Sequence, residues 1–263
     1  MRNEILRNID VLVQSQRYSW KSFLIYRTQS AFIILESTLS ALMDFIFVSV
    51  VYGVSQGIAG WSYYQLLALI ALMWVSGAVA FYLVNPGPLL GALQSGDFDT
   101  YLTKPYRPVF LLLVRHSNPW SFFYALPYLA LLIFALTHIP VSAASVLLFA
   151  VLIVAGLAAF CAVMLFIEVL SYRLFTKAQW LYRLMSFVST AGQYPLGIYG
   201  NFGVFALTVV VPVGLAAFYP ANLLFHGLTV VGFLGPLVLA VALTAVSYKL
   251  TTLLLKGYTS ALG

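Results

Sequence analysis

"AASVLLFAVLIVAGLAAFCAVMLFIEV", residues 143–169, contains a single charged residue, Glu168, at its far end. Coiled as a helix at 1.5 Å per residue, this run is roughly 40 Å long, more than the ~30 Å hydrocarbon core of a bilayer. It therefore reads as a membrane crossing. Similar apolar runs occupy about 28–53, 62–85 and 119–137, divided by "GVSQGIAGWS", "GDFDTYLTKPYRP" and "HIPVSA". From Leu184 to Tyr248 there is no Asp, Glu, Lys or Arg. Gly192, Pro195, Gly197, Gly200, Pro212, Tyr219, Pro220 and Gly227 interrupt that stretch, and spans are expected at about 201–218 and 230–253.

Composition agrees. Of the 263 residues 62% are hydrophobic and 8% charged, and the mean hydropathy is +0.98. Soluble domains carry about a quarter charged residues. The expected fold is all-α, a polytopic membrane protein of six transmembrane helices in one domain over 1–263, with no room for a sizeable soluble unit. Within 1–22, Ile5, Ile9, Leu12 and Val13 recur at helical spacing among Arg2, Glu4, Arg7, Asn8 and Asp10. That pattern predicts an amphipathic helix at the membrane interface, or one packed on a partner. The same stretch lacks the layout of a signal peptide.

The 13 Lys and Arg residues fall in four groups. They are Arg2, Arg7, Arg17, Lys21 and Arg27; Lys104, Arg107 and Arg115; Arg173, Lys177 and Arg183; Lys249 and Lys256. With six spans all four groups share one side, and the three opposite loops carry none. By the positive-inside rule that side is cytoplasmic, with both termini on it. The segment "AQWLYRLMSFVSTAGQYPLGIYGN", residues 178–201, leaves two readings open. One is a re-entrant-like helix that enters from the basic side and breaks at Tyr194, Pro195 and Gly197 before the fifth span. The other is a surface helix followed by a longer fifth span.

Several chemistries have no support in these residues. There is no GxxxxGK[ST] loop, HExxH or GxSxG motif, and no Cys/His cluster. Cys161, the only cysteine, lies in an apolar run and reads as packing. His116, His138 and His226 fall at loops or span ends on different sides, so no metal site is expected. Nor is nucleic acid, since the +6 charge is explained by membrane orientation.

Glu36 and Asp44 lie eight positions apart in the first span, about 12 Å along a helix. An acid at that depth is costly and turns toward protein or water. Either the two line a polar pathway or a proton-linked site, or they make interhelical hydrogen bonds. Glu168 is expected to mark the end of the fourth span and to pair with nearby Arg173.

"GDFDTYLTKP", from Gly96, resembles the G-x-x-D-x-x-L-x-[KR]-P signature of ABC transporter permeases of the type 2 exporter superfamily, in a six-span subfamily of about 260 residues. "QYPLGIYGNFGVFALTVVVPVGLAAFYPANLL" (193–224) is similar to that family's YP-x-x-[IF]-Y segment with its closing YPA, and "LLKGYTSALG" (254–263) to its terminal G-x-x-Y-x-S-A pattern. The pair Glu36 and Asp44 belongs to no motif of that family. The resemblance implies a prokaryotic inner-membrane subunit that exports a substrate and dimerises with itself or a related permease. ATP and Mg²⁺ would be held by a separate ATP-binding cassette ATPase, with no cofactor on this chain. The connection 86–118 would then be a cytoplasmic coupling loop. In it Gly96 and Pro105 would bound a short helix, Asp97 would suit its dipole, and Phe98, Asp99, Tyr101, Leu102, Lys104 and Arg107 would serve docking. Tyr194, Pro195 and Tyr199 join Glu36 and Asp44 as candidate pathway or interhelical residues. A solvated loop is the plain alternative for the island. For the whole chain the rival is a noncatalytic scaffold or an ion-coupled carrier using Glu36 and Asp44.

Overall fold

The computed structural model describes residues 2–55, 57–85, 87–174, 178–227 and 229–258. Its helices are α1 (Arg2–Ile25), α2 (Arg27–Val54), α3 (Tyr63–Leu83), α4 (Pro88–Ser95), α5 (Asp99–Leu102), α6 (Pro108–Arg115), α7 (Pro119–Leu136), α8 (Ala143–Arg173), α9 (Ala178–Ala191), α10 (Asn201–Phe205), α11 (Val213–Ala216), α12 (Phe218–His226) and α13 (Val230–Lys256). Among the described residues there is no strand, and α2, α3, α7, α8 and α13 are long and apolar enough to cross a membrane. The all-α polytopic expectation holds.

The centre of the bundle is α3. Leu66 to Met73 are buried without interruption, so this helix is covered on every face. Its apolar run starts at a capping box in which Ser62 accepts from the Gln65 N–H and the Gln65 side chain accepts from the Ser62 N–H. On one flank α3 packs against α7 and α2, and on the other against α8 and α12, while α8 also lies along α13. The outward faces of α2, α8 and α13 stay apolar, as in Phe32, Leu147 and Val238. Such faces are what lipid requires of a spanning helix.

Contacts define two ends. At the basic end Arg173 donates to the Leu254 carbonyl at 2.7 Å, and Asn85 to the His116 carbonyl at 3.1 Å. At the other, Trp61 packs on Phe218, Phe225 and His226, and Tyr64 stacks on His138 at 4.3 Å. The turn expected near Gln56, within "GVSQGIAGWS", is centred on a residue outside the described ones. α1 is two residues longer than the expected interfacial helix. It is fastened at the basic end by Gln16, which donates to Ser117 at 2.9 Å and accepts from the Tyr82 hydroxyl, and by Trp20, edge-on to Phe122 and Phe123.

The region between α8 and α13 departs from the expected single helix over 201–218. α9 ends at Ala191, and Gly192 lies against Met73, halfway along α3. The chain then emerges beside Ala59 at Gly197. From there α10 continues as a π-helical turn over Ala206–Val210, breaks at Pro212, and doubles back through α11 and α12 to Trp61. Thr208 and Tyr219 are brought within 3.3 Å across that bend. The break has a local cause, since Pro212 has no N–H to donate and its ring obstructs a continuing helix. α9 thus ends just before the break expected at Tyr194, Pro195 and Gly197, and a second, bent element over 201–226 stands where a single fifth span was expected. Uninterrupted apolarity conceals a reversal of direction, because both limbs are equally hydrophobic.

The hairpin tip is seated on α8 by a missing side chain. A Cβ on Gly156 would lie 1.9 Å from the Leu215 carbonyl oxygen, so only glycine permits this approach.

Candidate functional site

Residues 88–115 form three short helices folded onto the basic end, not an open loop. Gly96, with φ of 85°, caps α4 in the left-handed conformation that glycine adopts without strain, and the chain turns there into α5. Ser95 donates to the Asp97 carboxylate at 2.8 Å across this turn, so Asp97 steadies the corner and is not a side-chain cap of α5. Phe98 and Tyr101, read from sequence as docking anchors, turn inward. They are 3% and 8% exposed in a cluster with Leu89, Leu93, Leu111, Leu112 and Val169. Leu102 points outward at 51% exposure, and Asp97, Lys104, Pro105 and Arg107 are exposed around it, with Asp99 half-buried.

Two distant segments hold this island. Tyr258, from the terminal pattern, packs edge-on to Phe98 at 5.3 Å and against Tyr172 at 5.9 Å. Burial and the neighbouring Asp99 push its hydroxyl up to about 12, so it stays protonated. The rest of that pattern, 259–263, lies outside the described residues. Glu168 makes the second attachment and corrects the expectation of a pair with Arg173. Fully buried, its carboxyl accepts from the Gly87 N–H at 3.0 Å and the Leu90 N–H at 3.2 Å. These donors belong to the first turn of α4, where a helix has no internal acceptors and its dipole favours negative charge. Arg173 instead serves the Leu254 carbonyl. In sequence the sign of this clamp is an acid inside an apolar run, with Gly87-Pro88 opening a helix some 80 positions away.

Close to the island, His116 lies 3.2 Å from the Tyr101 hydroxyl, and Arg115 sits over the Tyr101 ring at 5.9 Å. Burial first, then the Arg115 charge, hold this imidazole below its ordinary value.

The intramembrane acids separate into two environments. Asp44 faces α7, where the buried Tyr128 donates to it at 2.9 Å, and Tyr128 continues into a stack with Trp74 at 5.2 Å and Tyr124 at 6.1 Å. Glu36 lies on the border of a cavity of about 320 Å³ between α2, α3 and α7, with Trp74, Phe81, Asn118, Trp120 and Tyr124 on its walls. Trp74 and Tyr124 belong to both groups, so cavity and Asp44 cluster are continuous. Tyr194 packs its ring on Phe47 of α2 at 6.2 Å. Tyr199 lies apart from these acids, donating to the Ala191 carbonyl at 2.7 Å, where it satisfies the broken end of α9 beside Pro195. No group of three or more His, Cys, Asp or Glu able to hold a metal occurs among the described residues.

A family model described as ABC-2 family transporter protein matches residues 38–261. No curated protein and no solved structure matches the chain.

Proposed function

Because the chain belongs to the ABC-2 transporter family, as a membrane subunit of an ABC transporter that is not itself catalytic, we propose that it exports its substrate on ATP hydrolysed by a separate partner chain. The partner docks on the island. The observation that carries this reading is the construction of α4–α6: an inner face clamped to α8 and the end of α13, and an outer face with one exposed large apolar side chain, Leu102, among charged and polar neighbours and Pro105. A hydrophobic anchor inside a polar rim is how specific protein interfaces are built. Closure of the ATPase would push on the island, and the Glu168 clamp would pass the displacement into α8.

The basic end is the cytoplasmic side of a prokaryotic inner membrane, following the one-sided placement of Lys and Arg. ATP and Mg²⁺ belong to the partner, and two permease chains, identical or related, complete the transporter. The test is affinity capture of the tagged permease from its native membranes. An ATP-binding cassette chain should be recovered with it, and Leu102→Asp should reduce recovery at least about tenfold, the effect of losing an interface hot spot. Recovery of no such chain, or undiminished recovery with Leu102→Asp, would remove the docking role.

A further inference from the structure

We infer that the cavity between α2, α3 and α7 binds an organic cation, a ligand bearing an ammonium or similar group on an apolar body. Glu36 is exposed at its border, roughly 14 Å along α2 from the basic end. Neither an ion pair nor a hydrogen bond engages it among the described residues. An acid at that depth in a spanning helix is costly unless water or a countercharge reaches it, and among the described residues no Lys or Arg lines the cavity. Asp44, two turns deeper, shows the alternative, for Tyr128 occupies it.

The walls fit the same chemistry. Trp74, Trp120, Tyr124 and Phe81 surround the space, and Asn118 and Ser121 add polar groups at its basic-end border. Aromatic faces carry negative potential and attract cations, more strongly where water is scarce. An anion would meet repulsion from Glu36 and from the rings, while a neutral apolar molecule would leave the carboxylate unused. At about 320 Å³ the cavity is at the lower end of small-molecule sites. A soluble amphiphilic cation and the ammonium headgroup of a lipid share this chemistry. Binding of either stands independently of the permease reading, whereas its role as exported cargo rests on that reading.

The experiment uses the full chain in nanodiscs, following quenching of tryptophan fluorescence by benzyltrimethylammonium and by its uncharged isostere neopentylbenzene. The cation should quench saturably and the isostere should not. Glu36→Gln should weaken cation binding about tenfold, the loss of one charge-assisted contact, and Trp120→Leu should weaken it further. Equal responses to cation and isostere in the unaltered chain, a comparison needing no variant, would overturn the inference, as would unchanged affinity in Glu36→Gln. Repeating the titration in phosphatidylethanolamine and in phosphatidylglycerol discs identifies the source. Weaker apparent binding in ethanolamine lipid assigns the site to a headgroup, and equal binding assigns it to a soluble cation. Loss of cation binding with intact ATPase capture would separate this inference from the docking reading.

Discussion

Glu168 and Glu36 are both acids in spanning helices, and the fold treats them in opposite ways. Glu168 is wholly buried with two backbone donors aimed at it, and those donors come from the helix that begins the island. Glu36 stands at a cavity border, and no donor engages it among the described residues. A carboxyl whose lone pairs are filled by the fold holds elements together. One whose lone pairs are left open to an aromatic cavity is available to a ligand. The difference teaches that depth alone does not identify a functional acid; the ownership of its hydrogen bonds does.

The largest expected effect comes from breaking the first half of this comparison. Glu168→Leu would leave two buried N–H groups without acceptors, at about 1–3 kcal/mol each, so thermal unfolding in detergent should fall by several degrees. Protease access near Gly91 and Arg107 should rise. Glu168→Gln, which keeps an acceptor, should recover part of the loss. Glu36→Gln, by contrast, should change stability by no more than about 0.5 kcal/mol. Equal losses in the two Gln variants would erase the distinction.

Next in size is Gly156→Leu. Its side chain would collide with the Leu215 backbone and push the α10–α12 hairpin away from α8, a cost of about 1–3 kcal/mol for overpacking. ATPase capture should persist, since the island is at the opposite end. Loss of capture would mean that the two ends are more tightly linked than the contacts imply.

A smaller effect is expected at the third acid. Tyr128→Phe removes one hydrogen bond to Asp44, and interhelical bonds of this kind average about 0.6 kcal/mol in membranes. A melt shifted by much more would mark Asp44 as a clamp like Glu168.

The smallest is a pH effect at His116. Its value is held below the ordinary one in the folded chain, so the unfolded chain takes up the proton first as pH falls. Stability should therefore decline as pH falls below about 6.5 toward the lowered folded value, and be flat above that. Melts of the parent and His116→Asn between pH 7.5 and 5 check the sign; a steeper decline in the variant would contradict it.

Much of the fold was legible because lipid allows few solutions. Long apolar runs marked α2, α3, α7, α8 and α13, and the basic-free turns separated the two ends. The region 201–226 was less legible, since Pro212 announces a break and not the direction taken afterwards. Within the island, "GDFDTYLTKP" located the element, but alternation of apolar and charged residues could not say which anchors face inward. Phe98 and Tyr101 are covered by Tyr258 and Val169, partners some 70 to 160 positions away. The Glu168 clamp was hidden for the same reason, as its partners are backbone N–H groups, which have no signature in sequence. Glu36 was visible as an unusual residue, but the cavity around it needed α3 and α7 side by side.

The central claim is that Leu102 and its polar rim are the surface the ATPase grips. In a Cys161→Ser background, single cysteines from Leu102→Cys and, as a control at the opposite side of the fold, Leu147→Cys can be exposed to a short photoactivatable cysteine cross-linker in native membranes. Leu102→Cys should be joined to an ATP-binding cassette chain, with the yield changing when ATP is trapped, and Leu147→Cys should not. Co-capture of the ATPase without any cross-link from position 102 would place docking elsewhere and contradict the account.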